Sequence, residues 1–77
     1  MKSTLEKVLQ GAKAICYENT EMALELICET LIYEHGIDAR YAGRSIWVNG
    51  KRVASIQTCI EPCEDARIVG IYKYTIL

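Results

Sequence analysis

Cys59 and Cys63 stand four residues apart in the stretch Cys59-Ile60-Glu61-Pro62-Cys63, which also holds the only proline of the chain. Two thiols at that spacing suit a metal knuckle if the backbone turns between them, because zinc takes thiolate pairs from short C-x2–4-C segments. In an extended strand the two Cα atoms would lie about 13 Å apart at roughly 3.3 Å per residue, too far to share an ion or a disulfide. Pro62 lacks an N–H and biases Glu61 away from helical angles, which disfavours a helix carrying both thiols on one face. The stretch therefore reads as a strand ending near Ile60, a solvated loop through Asp65 and a return near Arg67. Cys59 and Cys63 remain metal candidates ranked below that reading.

A complete zinc site would also need Cys16 and Cys28, or His35. Cys16 and Cys28 form no short pair and fall among apolar helical positions, where a free cysteine usually serves as a small core residue. Cys-x-x-Cys is absent, so redox chemistry has little support, and no cofactor is implied.

Catalysis finds no constellation. The single histidine, His35, falls at the end of a helix, where an imidazole meets the last carbonyls and the negative end of the dipole. Glu34 and Asp38 are near it in sequence but suggest no nucleophile. There is no phosphate-binding glycine loop, nucleophile elbow or paired-carboxylate motif. The expectation is a protein that is not an enzyme.

Trp47, with Arg40 and Arg52, is the one grouping with the composition of a binding hot spot. Both residue types bring large contact area, and a guanidinium stacks on an indole ring. The plain alternative is a cross-strand pair, Trp47 with Arg52, that covers its own sheet. Asp38, Val69 and Ile71 fall on the same expected surface. Single-stranded nucleic acid is the second choice of partner, since rings take bases and arginines take phosphates. Against it stand a lone tryptophan, the nearby Asp38, the acidic loop and a net charge of −1.

Charge is unevenly distributed. Residues 1–35 carry three lysines against six glutamates, net −3, and residues 36–77 carry six basic against four acidic residues, net +2. With 51% hydrophobic and 25% charged residues, the 77-residue chain belongs among ordered globular domains. At this length one core supplies only a few kcal/mol, so a staple or a second copy is often required. No uncharged apolar run is long enough to span a bilayer, and residues 1–10 lack the apolar core of a signal peptide. Four cysteines, about 5% of the chain, fall below the density of disulfide scaffolds. A soluble cytoplasmic protein with reduced thiols and no membrane partner is expected.

The elements that would position these residues can be read from periodicity. Ser3 and Glu6 have capping-box spacing, and Leu5, Val8, Leu9, Ala12, Ile15 and Cys16 recur on one helical face. A first helix is expected over about 3–17. Asn19 or Thr20 opens a second over 20–35, with Thr20 preferred as N-cap and Gly36 as terminator. One continuous helix would be about 48 Å long, awkward for so short a chain. Glu21, Glu25 and Glu29 make one narrow stripe on the second helix and apolar residues most of the rest, so it must be covered on two sides.

Asn49-Gly50 marks a type I′ hairpin that sets Val48 against Lys51, Trp47 against Arg52 and Ile46 against Val53. A turn at Ala42-Gly43 would set Ala39 against Ile46, Arg40 against Ser45 and Asp38 against Trp47. Strands are expected over about 37–42, 44–48, 51–60 and 67–76. Ile37, Ala39, Tyr41, Ile46, Val48 and Val53 then face inward; Asp38, Arg40, Ser45, Trp47, Arg52 and Ala54 face outward. With Ile60 opposite Arg67, Ile56, Ile60, Val69 and Ile71 join Trp47 outside and Tyr72 and Tyr74 point inward. That leaves excess apolar surface unless a bulge near Ala54-Ser55 turns Ile56 in.

The fold class expected is α+β: one domain, residues 1–77, with two N-terminal helices on one face of a three- or four-stranded antiparallel sheet. The function expected is protein binding by a small adaptor, regulator or inhibitor, of the size that phages and mobile elements encode. It would act through the outer sheet face or the last strand, as a homodimer or with another protein. A single-stranded nucleic-acid binder and a cysteine-ligated metal protein are the alternatives.

Overall fold

A computed structural model describes the backbone of residues 2–63 and 66–77 and the side chains of residues 2–60 and 68–77. The architecture is α+β, with two N-terminal helices packed on a five-stranded antiparallel sheet. In chain order the elements are α1 (Lys2–Lys13), β1 (Cys16–Tyr17), α2 (Thr20–His35), β2 (Ala39–Ala42), β3 (Ser45–Val48), β4 (Lys51–Cys63) and β5 (Ala66–Ile76). The strand order is β1-β5-β4-β3-β2.

Helix α1 starts at Lys2, so Ser3 lies inside its first turn and is not its cap. It buries Leu5, Val8, Leu9 and Ala12 and stops at Lys13, four residues earlier than its apolar spacing suggests. Its end is claimed by another element. Ala12 O accepts from Ile15 N at 3.1 Å and from the Tyr17 hydroxyl at 2.8 Å, and Cys16 and Tyr17 pair with Gly70 and Val69 of β5. Leaving the helical phase buries Tyr17 but exposes Cys16, correcting the expectation that Cys16 is a core residue.

Helix α2 spans the expected residues, but Asn19 caps it, not Thr20. The extended Asn19 accepts from Met22 N at 2.9 Å through Oδ1, which frees the Thr20 hydroxyl to meet Thr58 Oγ1 at 3.2 Å. At the other end Gly36 adopts φ 65°, and the N–H groups of Gly36 and Ile37 donate to Ile32 O and Leu31 O. The left-handed glycine thus closes the helix at the expected position. Buried Ala23, Leu24, Ile27, Cys28 and Leu31 face α1 on one side and the sheet on the other.

Two turns and two bulges fix the sheet. Asn49 and Gly50 have φ of 52° and 77°, the type I′ geometry, and Val48 faces Lys51. The preceding turn is Gly43-Arg44, not Ala42-Gly43, because Gly43 takes the positive φ of 60° at the first central position. Ala42 therefore pairs with Ser45, Arg40 with Trp47 and Ala39 with Val48, a slip of two residues that leaves the faces unchanged.

The first bulge interrupts β3–β4 at Val53: Trp47 still faces Arg52, but Ile46 faces Ala54. Ala54 and Ile56 thereby enter the core with Val53, so Ala54 is not an outer-face residue. A second bulge lies in β5 at Tyr72, between the pairs Gln57 with Lys73 and Thr58 with Ile71. Ile71, paired with Thr58 on the face of Ile56, is buried to 4% exposure and Tyr72 is 63% exposed, reversing both expectations, while the extra residue returns Tyr74 to the inner face, half-buried against the core. Ile60 faces Val69, not Arg67. It is 64% exposed because the β4–β5 hairpin runs on past the strands and helices that cover its base.

Candidate functional site

Strand β4 continues through Pro62 to Cys63, three residues beyond the expected end at Ile60. The ladder explains how a strand accommodates this proline. Val53 O accepts from Leu77 N on the β5 side, and Ile56 N donates to Arg44 O on the β3 side. Alternation then directs the backbone groups of Cys59, Glu61 and Cys63 toward β5, and those of Thr58, Ile60 and Pro62 away from it. A missing N–H at Pro62 breaks no β4–β5 bond.

The extended backbone places the Cα atoms of Cys59 and Cys63 about 13 Å apart, beyond disulfide reach. The Cys63 side chain lies outside the described residues. Cys59 donates its thiol to Gly70 O at 3.7 Å. Cys16 pairs with the same glycine from the other side, roughly two strand spacings or about 10 Å from Cys59. Among the described residues no group of three or more His, Cys, Asp or Glu is placed to hold a metal ion.

The Trp47 grouping assembles more tightly than the sequence suggests. Arg40, Trp47 and Arg52 lie directly opposite one another on β2, β3 and β4, an arginine on each side of the ring. They occupy the face away from the helices, as the buried alternation of Ala39, Ile46 and Val48 requires. Trp47 is half-buried and both arginines are exposed. The indole Nε1 is fully covered and meets no acceptor among the described residues. A hollow of about 450 Å3 opens beside the ring, lined by Asp38, Arg40, Trp47 and the Asn49-Gly50 turn.

Asp38, Arg40, Trp47 and Arg52 thus form one surface. Val69 and Ile71 do not belong to it. Ile71 is in the core, and Val69 pairs with Tyr17 and Ile60 on the helix-bearing face, near the far end of the sheet. The Val53 bulge moved both, because it turned Ile56, Thr58 and Ile60 to the helix-bearing face and their β5 partners with them; its sequence signal was the surplus of apolar residues on the outer face.

A feature missed in the sequence lies on the other side of β2. Between this terminal strand and α2 runs a groove of about 390 Å3, lined by Glu25, Cys28, Glu29, Ile32, Ala39 and Tyr41 with the Arg40 position. The Tyr41 hydroxyl donates to Glu25 Oε1 at 3.3 Å. Burial and the neighbouring Glu25 charge raise the Tyr41 phenol above its ordinary pKa. Burial pushes the Cys28 thiol up to about 11. The groove is therefore an acidic slot over a buried thiol. The Glu21-Glu25-Glu29 stripe was its signal, incomplete without knowing that β2 ends the sheet.

Compared with known proteins, the chain matches no family model, no curated protein and no solved structure. Among the described residues no helix is long and apolar enough to cross a membrane.

Proposed function

We propose that this chain is a non-enzymatic protein-interaction module, an adaptor, regulator or inhibitor that engages another polypeptide through the outer face of its sheet. The observation that carries this reading is the row Arg40–Trp47–Arg52, a tryptophan with an arginine opposite it on each neighbouring strand, beside an open hollow. Aromatic and arginine side chains at the centre of a patch are the usual holders of interface energy. The covered indole N–H adds a reason to bind. A buried donor without an acceptor carries a penalty of about 1–3 kcal/mol, relieved when a partner supplies an acceptor.

A homodimer is the most economical form, since a second copy extends a small core. Burial of Ile56 and Ile71 removes part of the apolar surplus that favoured it, which gives a different protein equal standing as the partner. Sedimentation of the wild-type chain and Trp47→Ala across a concentration series separates the cases. A dimer abolished by Trp47→Ala identifies the partner as a second copy. A monomer whose tryptophan fluorescence shifts with cell extract, while Trp47→Ala captures nothing, identifies another protein. Association with oligonucleotides that weakens steeply as salt rises would replace this reading with nucleic-acid binding.

A further inference from the structure

Strand β2 ends the sheet, and its ladder shows which backbone groups face the free side. The two-residue Gly43-Arg44 turn closes on the pair Ala42 and Ser45, so Ala42 and Arg40 direct their N–H and C=O groups to β3. Ala39 and Tyr41 direct theirs outward. Arg44 O, which accepts from Ile56 N on the opposite side of β3, obeys the same alternation. The free side of β2 is therefore a short template for one more strand.

The floor and wall beside that template are specific. Only Gly36–Asp38 separate α2 from β2, so the strand turns back along the helix, and Tyr41 reaches Glu25 while Ala39 lies nearer Ile32. Glu25 and Glu29, one helical turn apart, are separated by about 6 Å along the helix axis. Alternate residues of an extended strand are separated by about 6.6 Å. A strand added antiparallel to β2 would run in the direction of α2. It would present the side chains opposite Tyr41 and Ala39 to Glu25 and Glu29 in turn, and the next one on that face to Ile32. The residue between the first two would lie beside Arg40.

We infer that the slot between β2 and α2 binds an extended segment of a partner protein by strand addition, selecting basic side chains two residues apart. Main-chain bonds to Ala39 and Tyr41 supply affinity, and Glu25 and Glu29 supply selectivity. A second copy is a poor occupant. Pairing β2 with its own symmetry mate would bring two copies of the Glu25 and Glu29 stripe face to face, a like-charge clash in the position where a cationic strand is favoured. The slot shares Arg40 and Tyr41 with the Trp47 hollow across β2 but does not include Trp47, so Trp47→Ala tests the outer-face interaction without touching the slot.

The test uses a fluorescein-labelled peptide, Thr-Lys-Glu-Lys-Val-Ile-Thr, titrated with the full chain and followed by anisotropy. Three controls accompany it: a charge-swapped peptide with each Lys replaced by Glu and the Glu by Lys; a peptide N-methylated at both lysines; and the variant Glu25→Lys/Glu29→Lys. Expected are saturable binding by the parent peptide and at least tenfold weaker binding after N-methylation. The variant should prefer the charge-swapped peptide, and Trp47→Ala should bind the parent as the wild type does. N-methylation leaves the protein untouched, so that arm is independent of variant folding. The inference is overturned by no binding up to about 1 mM, the weak end of the affinity scale, or by equal binding of the parent and N-methylated peptides. Equal binding of parent and charge-swapped peptides, or a dimer of the chain that excludes the peptide, would overturn it as well.

Discussion

Thr20, at the head of α2, and Thr58, in β4, hold their hydroxyl oxygens 3.2 Å apart across 38 residues of chain. The contact is part-buried and fastens the helix start to the base of the projecting hairpin. It exists because Asn19 takes the capping role and leaves Thr20 free. Replacing Thr58 with Val keeps the shape and removes one hydroxyl, so the expected loss is about 1 kcal/mol. Urea unfolding of Thr58→Val should show a lower midpoint with an unchanged slope. An unaltered midpoint would mean that the pair contributes nothing net.

Gly11 lies exposed in the last turn of α1, and a methyl group added there would meet nothing within 4 Å. Glycine in a helix costs about 0.5–1 kcal/mol relative to alanine. Gly11→Ala should therefore raise the melting temperature. Gly11 also lines the hollow between α1 and α2, with Ile15, Leu26 and Thr30. A variant that is more stable but loses partner capture would assign that hollow to binding. Stability gained with capture intact would leave Gly11 without a functional role.

Legibility in the sequence tracked the local signals. Asn49-Gly50 fixed one hairpin, Gly36 ended α2 in the left-handed region, and alternation placed Ala39, Ile46, Val48 and Val53 inside. Trp47 opposite Arg52 was read from that turn alone, and the neighbouring turn, once centred on Gly43-Arg44, added Arg40. A bulge near Ala54-Ser55 was open in the sequence as the way to turn Ile56 inward, and it lies one residue earlier, at Val53; the bulge at Tyr72 was not legible. An extra residue leaves composition unchanged but inverts the parity of the rest of its strand, which is how the Val53 bulge turned Ile56 inward and, through the β4–β5 pairing, made Ile71 and Tyr72 exchange faces. Strand β1 was hidden for another reason. Ile15 and Cys16 continue the helical spacing of α1, and only pairing with Gly70 and Val69, more than 50 residues away, draws that segment into the sheet.

Cys28 and Cys16 should separate cleanly in reactivity. Cys16 is exposed beside β5, whereas Cys28 is buried under the β2–α2 slot with its thiol pushed up to about 11. At pH 8 that leaves about one thiolate in a thousand, and the thiolate is the reactive form. An alkylating reagent should modify Cys16 quickly and Cys28 only as the chain opens, which peptide mass mapping over time would resolve. The same shift makes stability depend on pH. The unfolded thiol ionises near 9.0 and the folded one near 11, so above pH 9 the unfolded state releases its proton first. Stability from the buried neutral thiol is complete below pH 9 and is lost progressively as pH rises toward 11. Tyr17 acts in the same direction, raised by burial and then by the charge of neighbouring Cys16. The melting temperature of the wild-type chain should fall across this window, and that of Cys28→Ala should fall less steeply. Parallel slopes for the two proteins would show that Cys28 ionises alike in the folded and unfolded states and that the slot above it is wetter than its packing implies.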